Sequence, residues 1–275
     1  MELSRNLTTE SVDERFAHLD ELEVAELVQV MNEADKTVPE AVEQARPQIT
    51  AAIEAVSQRF GSGGRIIYVG AGTSGRLGVL DASECPPTFN TRPEQVLGII
   101  AGGDVALRSA LEGAEDDPEQ GAADLAAVAV GPRDAVVGIA SSGRTPYVVG
   151  ALRHARSAGA MTVALSCNAD AEISAVAEHG IEVIVGPEVV AGSTRLRAGT
   201  AQKMVLNMIS TICMVRAGKV MGNRMVDLRA TNEKLRVRAV RMVAELADVD
   251  EDVATHALGQ SDWRVKDAIL SLRGN

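Results

Sequence analysis

Aromatic side chains are nearly missing from this chain. Three Phe, two Tyr and one Trp make up 2% of its 275 residues. A core built on ring stacking is excluded, so the 46% of hydrophobic residues must fill the interior as Ala, Val, Leu, Ile and Met. Alanine-rich helices over Val/Ile strands use that palette naturally. Cysteine is scarce as well. Cys85, Cys167 and Cys213 are odd in number and widely spaced, which fits neither a disulfide framework nor a metal pattern. A reducing cytoplasm is the expected compartment. His18, His154, His179 and His256 stand at no ligand spacing from one another, and no P-loop or zinc motif is present, so no metal and no cofactor are expected. No run reaches the roughly 18 apolar residues of a membrane span. The polar start Met1-Glu2-Leu3-Ser4-Arg5 lacks a signal core. Positive charge is short too: 27 Lys and Arg face 38 Asp and Glu, for a net charge of −11. Such a surface repels nucleic acid and anionic membranes. An anionic ligand would have to be met by a local positive device.

The length suits one sizeable α/β domain with helical additions. Residues 1 to about 60 read as helical, with Leu19, Leu22, Val24, Leu27, Val28, Val30 and Met31 at helical spacing. Asp20 is the expected N-cap of that helix. Pro47 should kink or divide the helix that follows, and Gly61-Ser62-Gly63-Gly64 breaks the pattern. Short apolar runs then place strands at about 65–69, 96–101, 135–140, 161–166 and 181–185. Helical stretches at about 74–83, 104–112, 120–128, 145–158 and 170–178 alternate with them. That alternation predicts an α/β fold with a doubly wound five-stranded parallel sheet. Residues 194–217 form a long helix, apolar nearly all round, expected to be buried against the sheet or a partner subunit. The remainder reads as small helices, and its Arg229, Lys234, Arg236, Arg238 and Arg241 as a solvated face. The predicted domains are a helical N-terminal segment (1–55), a central α/β domain (56–219) and a small helical C-terminal subdomain (220–275).

Two loops carry the chemistry. The first strand runs into Gly70-Ala71-Gly72-Thr73-Ser74-Gly75-Arg76, and the third into Ser141-Ser142-Gly143-Arg144-Thr145-Pro146. Each ends a β-run with hydroxyls and glycine before a helix start, which offers N–H and O–H donors to an anion. Gly70-x-Gly72-x-x-Gly75 alone matches a dinucleotide fingerprint. The acid that fingerprint needs about 20 residues on is absent, since Asp104 lies about thirty residues away. Two such loops, at the C-terminal ends of two parallel strands, suit the several oxygens of a phosphomonoester. Gly72, Thr73, Ser74, Ser141, Ser142, Gly143 and Thr145 are the expected phosphate ligands. Glu84 follows on the first helix, just before Pro86-Pro87. A carboxylate at a helix end would oppose the dipole, which hints at a functional reason.

These loops resemble those of sugar isomerase (SIS) domains. Longer strings narrow the likeness: Leu80-Asp81-Ala82-Ser83-Glu84-Cys85-Pro86-Pro87, Glu112-Gly113-Ala114-Glu115-Asp116, Val190-Ala191-Gly192-Ser193-Thr194-Arg195, Ala198-Gly199-Thr200-Ala201-Gln202-Lys203 and Ala230-Thr231-Asn232-Glu233-Lys234-Leu235. They closely resemble the N-acetylmuramic acid 6-phosphate etherase family, which is related to glucokinase regulatory protein. The resemblance runs from about residue 20 to the end, with a C-terminal subdomain trimmed relative to the family. It implies an SIS-type fold and a cofactor-free lyase that removes the lactyl ether of a muramic acid phosphate by elimination and hydration. It also implies roles. Glu84 would protonate the leaving group and activate water, and Glu115 would take the C2 proton. Glu188 and Lys203 would reach the substrate from the later loop and helix, with an ion-pair role for Lys203 equally open. Glu112 stands at i−3 on the same predicted helix face as Glu115, and Asp116 and Asp117 follow, so a solvated acidic helix end stays open as its plain reading. SIS domains pair, so a homodimer is expected. A sugar-phosphate-sensing regulator and an aldose–ketose isomerase are the alternatives.

Overall fold

The computed structural model describes residues 7–228 and 230–274. The polar start at 1–5 and Arg229 of the basic face lie outside them. The chain divides into two compact units, one of 1–85 with 92–213 and one of 86–91 with 214–275.

The first unit opens with short 3-10 turns, among them Thr8–Glu10 and Leu19–Glu21. Helices α1 (Val24–Lys36), α2 (Val38–Gln44) and α3 (Arg46–Gly61) follow. Asp20 falls in a 3-10 turn and does not cap α1. Instead the Glu23 N–H donates to the Glu26 carboxylate at 2.9 Å, a capping interaction at the actual helix start. Pro47 sits in the first turn of α3, where a missing N–H costs nothing, and the helix is divided there into α2 and α3 as its proline predicts.

The sheet alternates with helices in chain order: β1 (Ile66–Gly70), α4 (Gly72–Phe89), β2 (Val96–Ile100), α5 (Gly103–Arg108), α6 (Pro118–Ala127), β3 (Ala135–Ile139), α7 (Pro146–Ser157), β4 (Met161–Ser166), α8 (Glu172–Val176), β5 (His179–Glu182) and α9 (Arg197–Arg216). The five strands are parallel in the order β2-β1-β3-β4-β5. Strands β1, β3 and β4 are buried at every residue. That is why they read as unbroken apolar runs rather than alternating ones. Fully buried Ile67, Val69, Val136, Ala164, Tyr147 and Leu152 sit in one hydrophobic core cluster.

Helix α4 departs from the sequence reading. It does not stop near residue 83 but runs through Pro86 and Pro87 to Phe89. Two prolines remove only the bonds to the carbonyls of Ala82 and Ser83, and Asn90 N–H still closes onto Pro86 O at 2.9 Å. Glu84 is therefore an exposed residue within a helix, and the helix-end dipole argument for it lapses. The helix expected over 104–112 ends at Arg108. Beyond it Glu115 stands in a 3-10 turn, Ala114–Asp116, off any α-helix shared with Glu112.

The second unit holds a two-residue hairpin and three helices. Strands β6 (Val220–Met221) and β7 (Arg224–Met225) pair across Gly222-Asn223. Two-residue strands carry too little pattern to be read from sequence. Helices α10 (Glu233–Ala247), α11 (Glu251–Gln260) and α12 (Val265–Arg273) enclose Val243, Leu258 and Ile269. Asn232 caps α10 through Leu235 N–H at 2.9 Å. Among the described residues no helix is long and apolar enough to cross a membrane.

All three cysteines are buried. Burial pushes the thiols of Cys85 and Cys167 up to about 12 and that of Cys213 to about 11. Thiolate is the reactive form, so the folded protein should resist a thiol reagent at pH 7. Three equivalents should react once it is denatured. Rapid labelling of the folded chain would contradict the burial.

Candidate active site

Strands β1 and β3 are neighbours in register, with Gly70 opposite Ile139. The chain leaves β1 toward β2 on one side and reaches β3 on the other. This is the topological switch point of the sheet, where ligands of such folds bind beyond the strand ends. Both hydroxyl loops emerge here. The α4 start packs so tightly on β1 that a Cβ on Gly75 would lie 2.7 Å from Gly70 O and 2.6 Å from Ile100 Cγ1. Only glycine fits that approach.

A single side chain from α9 joins the two loops. Ser74 Oγ donates to Gln202 Oε1 at 2.9 Å, and Gln202 Nε2 donates to Ser141 Oγ at 2.9 Å. All three residues are buried. The Ser141 carbonyl is fixed in turn by Cys167 N–H at 3.0 Å and Asn168 Nδ2 at 2.9 Å. Asn168 Oδ1 accepts from the N–H and Oγ1 of Thr8 in the first 3-10 turn. Thr73 places its methyl against Gly199 of α9. Ser142 Oγ accepts from Arg144 N–H at 3.2 Å. Thr145 stands at the N-cap of α7, its carbonyl taking the N–H groups of Val148 and Val149.

Glu188 is 1% exposed. Its two carboxylate oxygens accept from Arg197 and Ala198 N–H, each at 2.9 Å. It thus caps α9 from nine residues upstream and satisfies two otherwise orphaned donors. Burial pushes its carboxyl up, opposed by those N–H groups and by the Arg197 charge. Direct reach to a ligand, as expected from the sequence, is set against this geometry, because both oxygens already serve the helix start.

Glu115 lines a cleft of about 230 Å³ together with Gly72, Arg76 and Ala101. The structure so brings one of the two sequence-predicted glutamates to the first loop. Glu84 does not line that cleft. It lies ten residues past Ser74 on α4, about 15 Å along the axis.

Relatives place this arrangement. Residues 48–156 match the glucokinase regulatory protein N-terminal SIS domain, 118–212 the SIS domain, and 222–272 the C-terminal lid domain of glucokinase regulatory protein. An N-acetylmuramic acid 6-phosphate etherase of Streptomyces coelicolor is 58% identical, over 97% of this chain and 86% of its own length. That of Mycolicibacterium smegmatis is 55% identical, over 99% and 91%. The chain belongs to the N-acetylmuramic acid 6-phosphate etherase family. Among solved structures, a phosphoheptose isomerase from Francisella tularensis shares the fold at a TM-score of 0.55 and 17% identity, covering 70% of this chain and 100% of that one. A phosphoheptose isomerase from Neisseria gonorrhoeae does so at 0.53 and 18%, covering 69% and 97%.

In this etherase-family chain a further buried acid stands one turn before Glu84. Asp81 is 7% exposed. It accepts from Tyr68 Oη at 2.9 Å, Ser210 Oγ at 3.1 Å and Asn207 Nδ2 at 3.3 Å. Burial raises its carboxyl above the ordinary value, against the hydrogen bonds and the charge of the exposed Lys203. Lys203 so contributes a field at Asp81. Sequence reasoning passed over Asp81 and Gln202 alike. Their one signal was a polar residue in an otherwise apolar helical stripe. Among the described residues no cluster of His, Cys, Asp and Glu is placed to hold a metal ion.

The raised Asp81 carboxyl has a definite pH signature. Just above the ordinary carboxylate value the folded state keeps a proton that the unfolded chain has lost, so this group's contribution to stability falls as pH rises through that window. Asp81→Asn should therefore gain in Tm relative to the wild type as pH rises above the ordinary carboxylate value, and the gap should level off once the folded-state carboxyl is ionised. A gap independent of pH would contradict the assignment.

Proposed function

We propose that this chain is a carbon–oxygen lyase that cleaves the D-lactyl ether of N-acetylmuramic acid 6-phosphate, giving N-acetylglucosamine 6-phosphate and D-lactate in cell-wall sugar recycling. The observation that carries the reading is the pair of hydroxyl loops, locked together at the switch point, in a chain of the etherase family. Gly72, Thr73, Ser74, Ser141, Ser142, Gly143 and Thr145 hold the phosphate, Ser74 through its backbone N–H in the first turn of α4. N–H and O–H donors suit a dianion in a chain of net charge −11.

The chemistry follows from the aldehyde of the opened sugar, which acidifies the C2 proton. Glu115 takes that proton. The electron pair of the broken C2–H bond forms the C2–C3 double bond as the C3–O bond breaks. Glu84 protonates the departing lactate oxygen, then takes a proton from water as the hydroxyl adds to C3. A proton returns to C2, and no net redox change occurs. General acid–base groups of this kind contribute about 10²–10⁴ each in rate. Glu188 holds the start of α9, and Lys203 offers a positive charge along it.

The protein acts as a cytoplasmic homodimer in this reading. Helix α1 supports it: Val24, Leu27, Val28 and Met31 repeat as one apolar face, and Val24 and Val28 are 74% and 62% exposed. A second copy would cover them. A monomeric mass in solution would remove that part of the reading. The three domains, 1–55, 56–219 and 220–275, would serve as helical arm, sugar-phosphate domain and C-terminal subdomain.

A D-lactate assay on N-acetylmuramic acid 6-phosphate tests the activity. Release of D-lactate is expected. Binding without turnover would make the protein a sensor, and conversion of fructose 6-phosphate instead would make it an isomerase.

A further inference from the structure

Gln202 is an amide in a helix whose neighbours Ala201, Val205, Leu206 and Ile209 are buried aliphatics. It is itself 0% exposed. Burying an amide is costly unless both its ends are bonded, and a methionine would fill the same space without that cost. Both ends are bonded here, one to each anion loop. The placement is fixed from two sides. Glu188 pins the start of α9 through the N–H groups of Arg197 and Ala198, five and four residues before Gln202. Asn168 and Cys167 pin the backbone of Ser141.

An amide has one accepting and one donating end. The two serines it joins are therefore not equivalent. Ser74 gives its hydroxyl proton to Gln202 Oε1 and has only lone pairs left for a ligand. Ser141 receives from Gln202 Nε2, so its own proton is not used in that bond. A phosphate dianion accepts hydrogen bonds and does not donate them.

We propose that Gln202 is a positioning residue that couples the two loops and reserves the Ser141 hydroxyl proton for the phosphate. The inference rests on the reading of these loops as the phosphate site. It adds a division of labour between two serines that look alike in sequence, and an origin for it in a residue that touches neither phosphate nor sugar.

Steady-state kinetics of D-lactate release test it, on the full chain carrying Ser74→Ala, Ser141→Ala, Gln202→Met and the Ser141→Ala/Gln202→Met pair. A hydrogen bond to a charged group corresponds to a ten- to hundred-fold change. Ser141→Ala should raise KM by about that much, with kcat within about three-fold. Ser74→Ala should raise KM less than Ser141→Ala does, because the Ser74 hydroxyl proton is already given to Gln202 and only its backbone N–H is left to donate. Gln202→Met should raise KM about ten-fold, again with kcat nearly intact, and the pair should be little worse than Ser141→Ala alone because the effects share one bond. A KM effect from Ser141→Ala with none from Gln202→Met would overturn the coupling and leave the phosphate site standing. No KM effect from either serine would remove the phosphate site itself. A larger effect from Ser74→Ala would overturn the proton assignment. If Gln202→Met does not fold, Gln202→Glu keeps the shape. Its carboxylate accepts from both serines and withdraws the Ser141 proton, so KM should rise at least as far as in Ser141→Ala. A folded Gln202→Glu protein with wild-type KM would sink the proposal.

Discussion

Glu84→Gln is expected to abolish measurable D-lactate release, a loss of about 10²–10⁴ in rate, while the sugar phosphate still binds. The two effects separate because of where the residue sits. Glu84 is exposed on α4, so the amide should change folding stability by less than about 0.5 kcal/mol. The phosphate anchor is at the other end of the helix, about 15 Å along its axis, so KM should move only a few-fold. The proposed division between the two glutamates adds a second readout. In D₂O, a Glu84→Gln enzyme that still holds Glu115 should exchange the C2 proton of the bound sugar while releasing no lactate. Glu115→Gln should do neither. Exchange lost in both variants would merge the two roles, and unchanged lactate release from Glu84→Gln would remove its role altogether.

That experiment depends on loops that the sequence shows clearly and on a helix it shows only in part. The sheet was legible because β1, β3 and β4 are buried on both faces, and burial on both faces leaves an unbroken aliphatic run. The hydroxyl loops were legible because Gly72, Gly143 and their serines sit where such runs stop. The course of α4 was not. Pro86-Pro87 is a stop signal in local terms, and a helix that passes through it does so by giving up two of its own backbone hydrogen bonds. Position 115 was misread for the opposite reason. An alanine- and acid-rich stretch looks helical, but Gly113 in the left-handed region breaks it and starts a 3-10 turn. The pairings of Glu188 with α9, and of Gln202 with both loops, link residues nine to about 130 positions apart. No local pattern reports a partner at that separation. Glu188 read as a ligand candidate because a buried acid with two donors and an acid facing substrate look the same in sequence.

The second loop has its own sharp dependence, and Gly143→Ala should expose it. Gly143 has φ +71, a conformation that costs other residues about 1–2 kcal/mol. Its absent side chain is also a space already taken: a Cβ there would lie 2.4 Å from Ala171 Cβ and 3.2 Å from Ser166 Cβ. Both neighbours belong to ordered structure, Ser166 at the end of β4 and Ala171 at the N-cap of α8, so relief needs backbone movement. Overpacking of this kind costs about 1–3 kcal/mol. The sum is about 2–5 kcal/mol, on the order of 10 °C in Tm at the usual 2–4 °C per kcal/mol for a unit of this size. The loop cannot shift without loss, because Gly143 N–H closes onto Ala140 O at 3.0 Å and Gly143 O accepts from Ile173 N–H at 3.0 Å. Any movement carries Ser141 and Ser142 with it, so KM should rise alongside the fall in Tm. A second substitution divides the two causes. Ala171→Gly clears the 2.4 Å contact but leaves the backbone strain and the 3.2 Å contact with Ser166 Cβ, so in the Gly143→Ala background it should recover most of the packing share of Tm and leave at least the strain of about 1–2 kcal/mol. A Gly143→Ala protein with wild-type Tm and KM would mean that the loop is far softer than its contacts, and that the phosphate site does not depend on its shape.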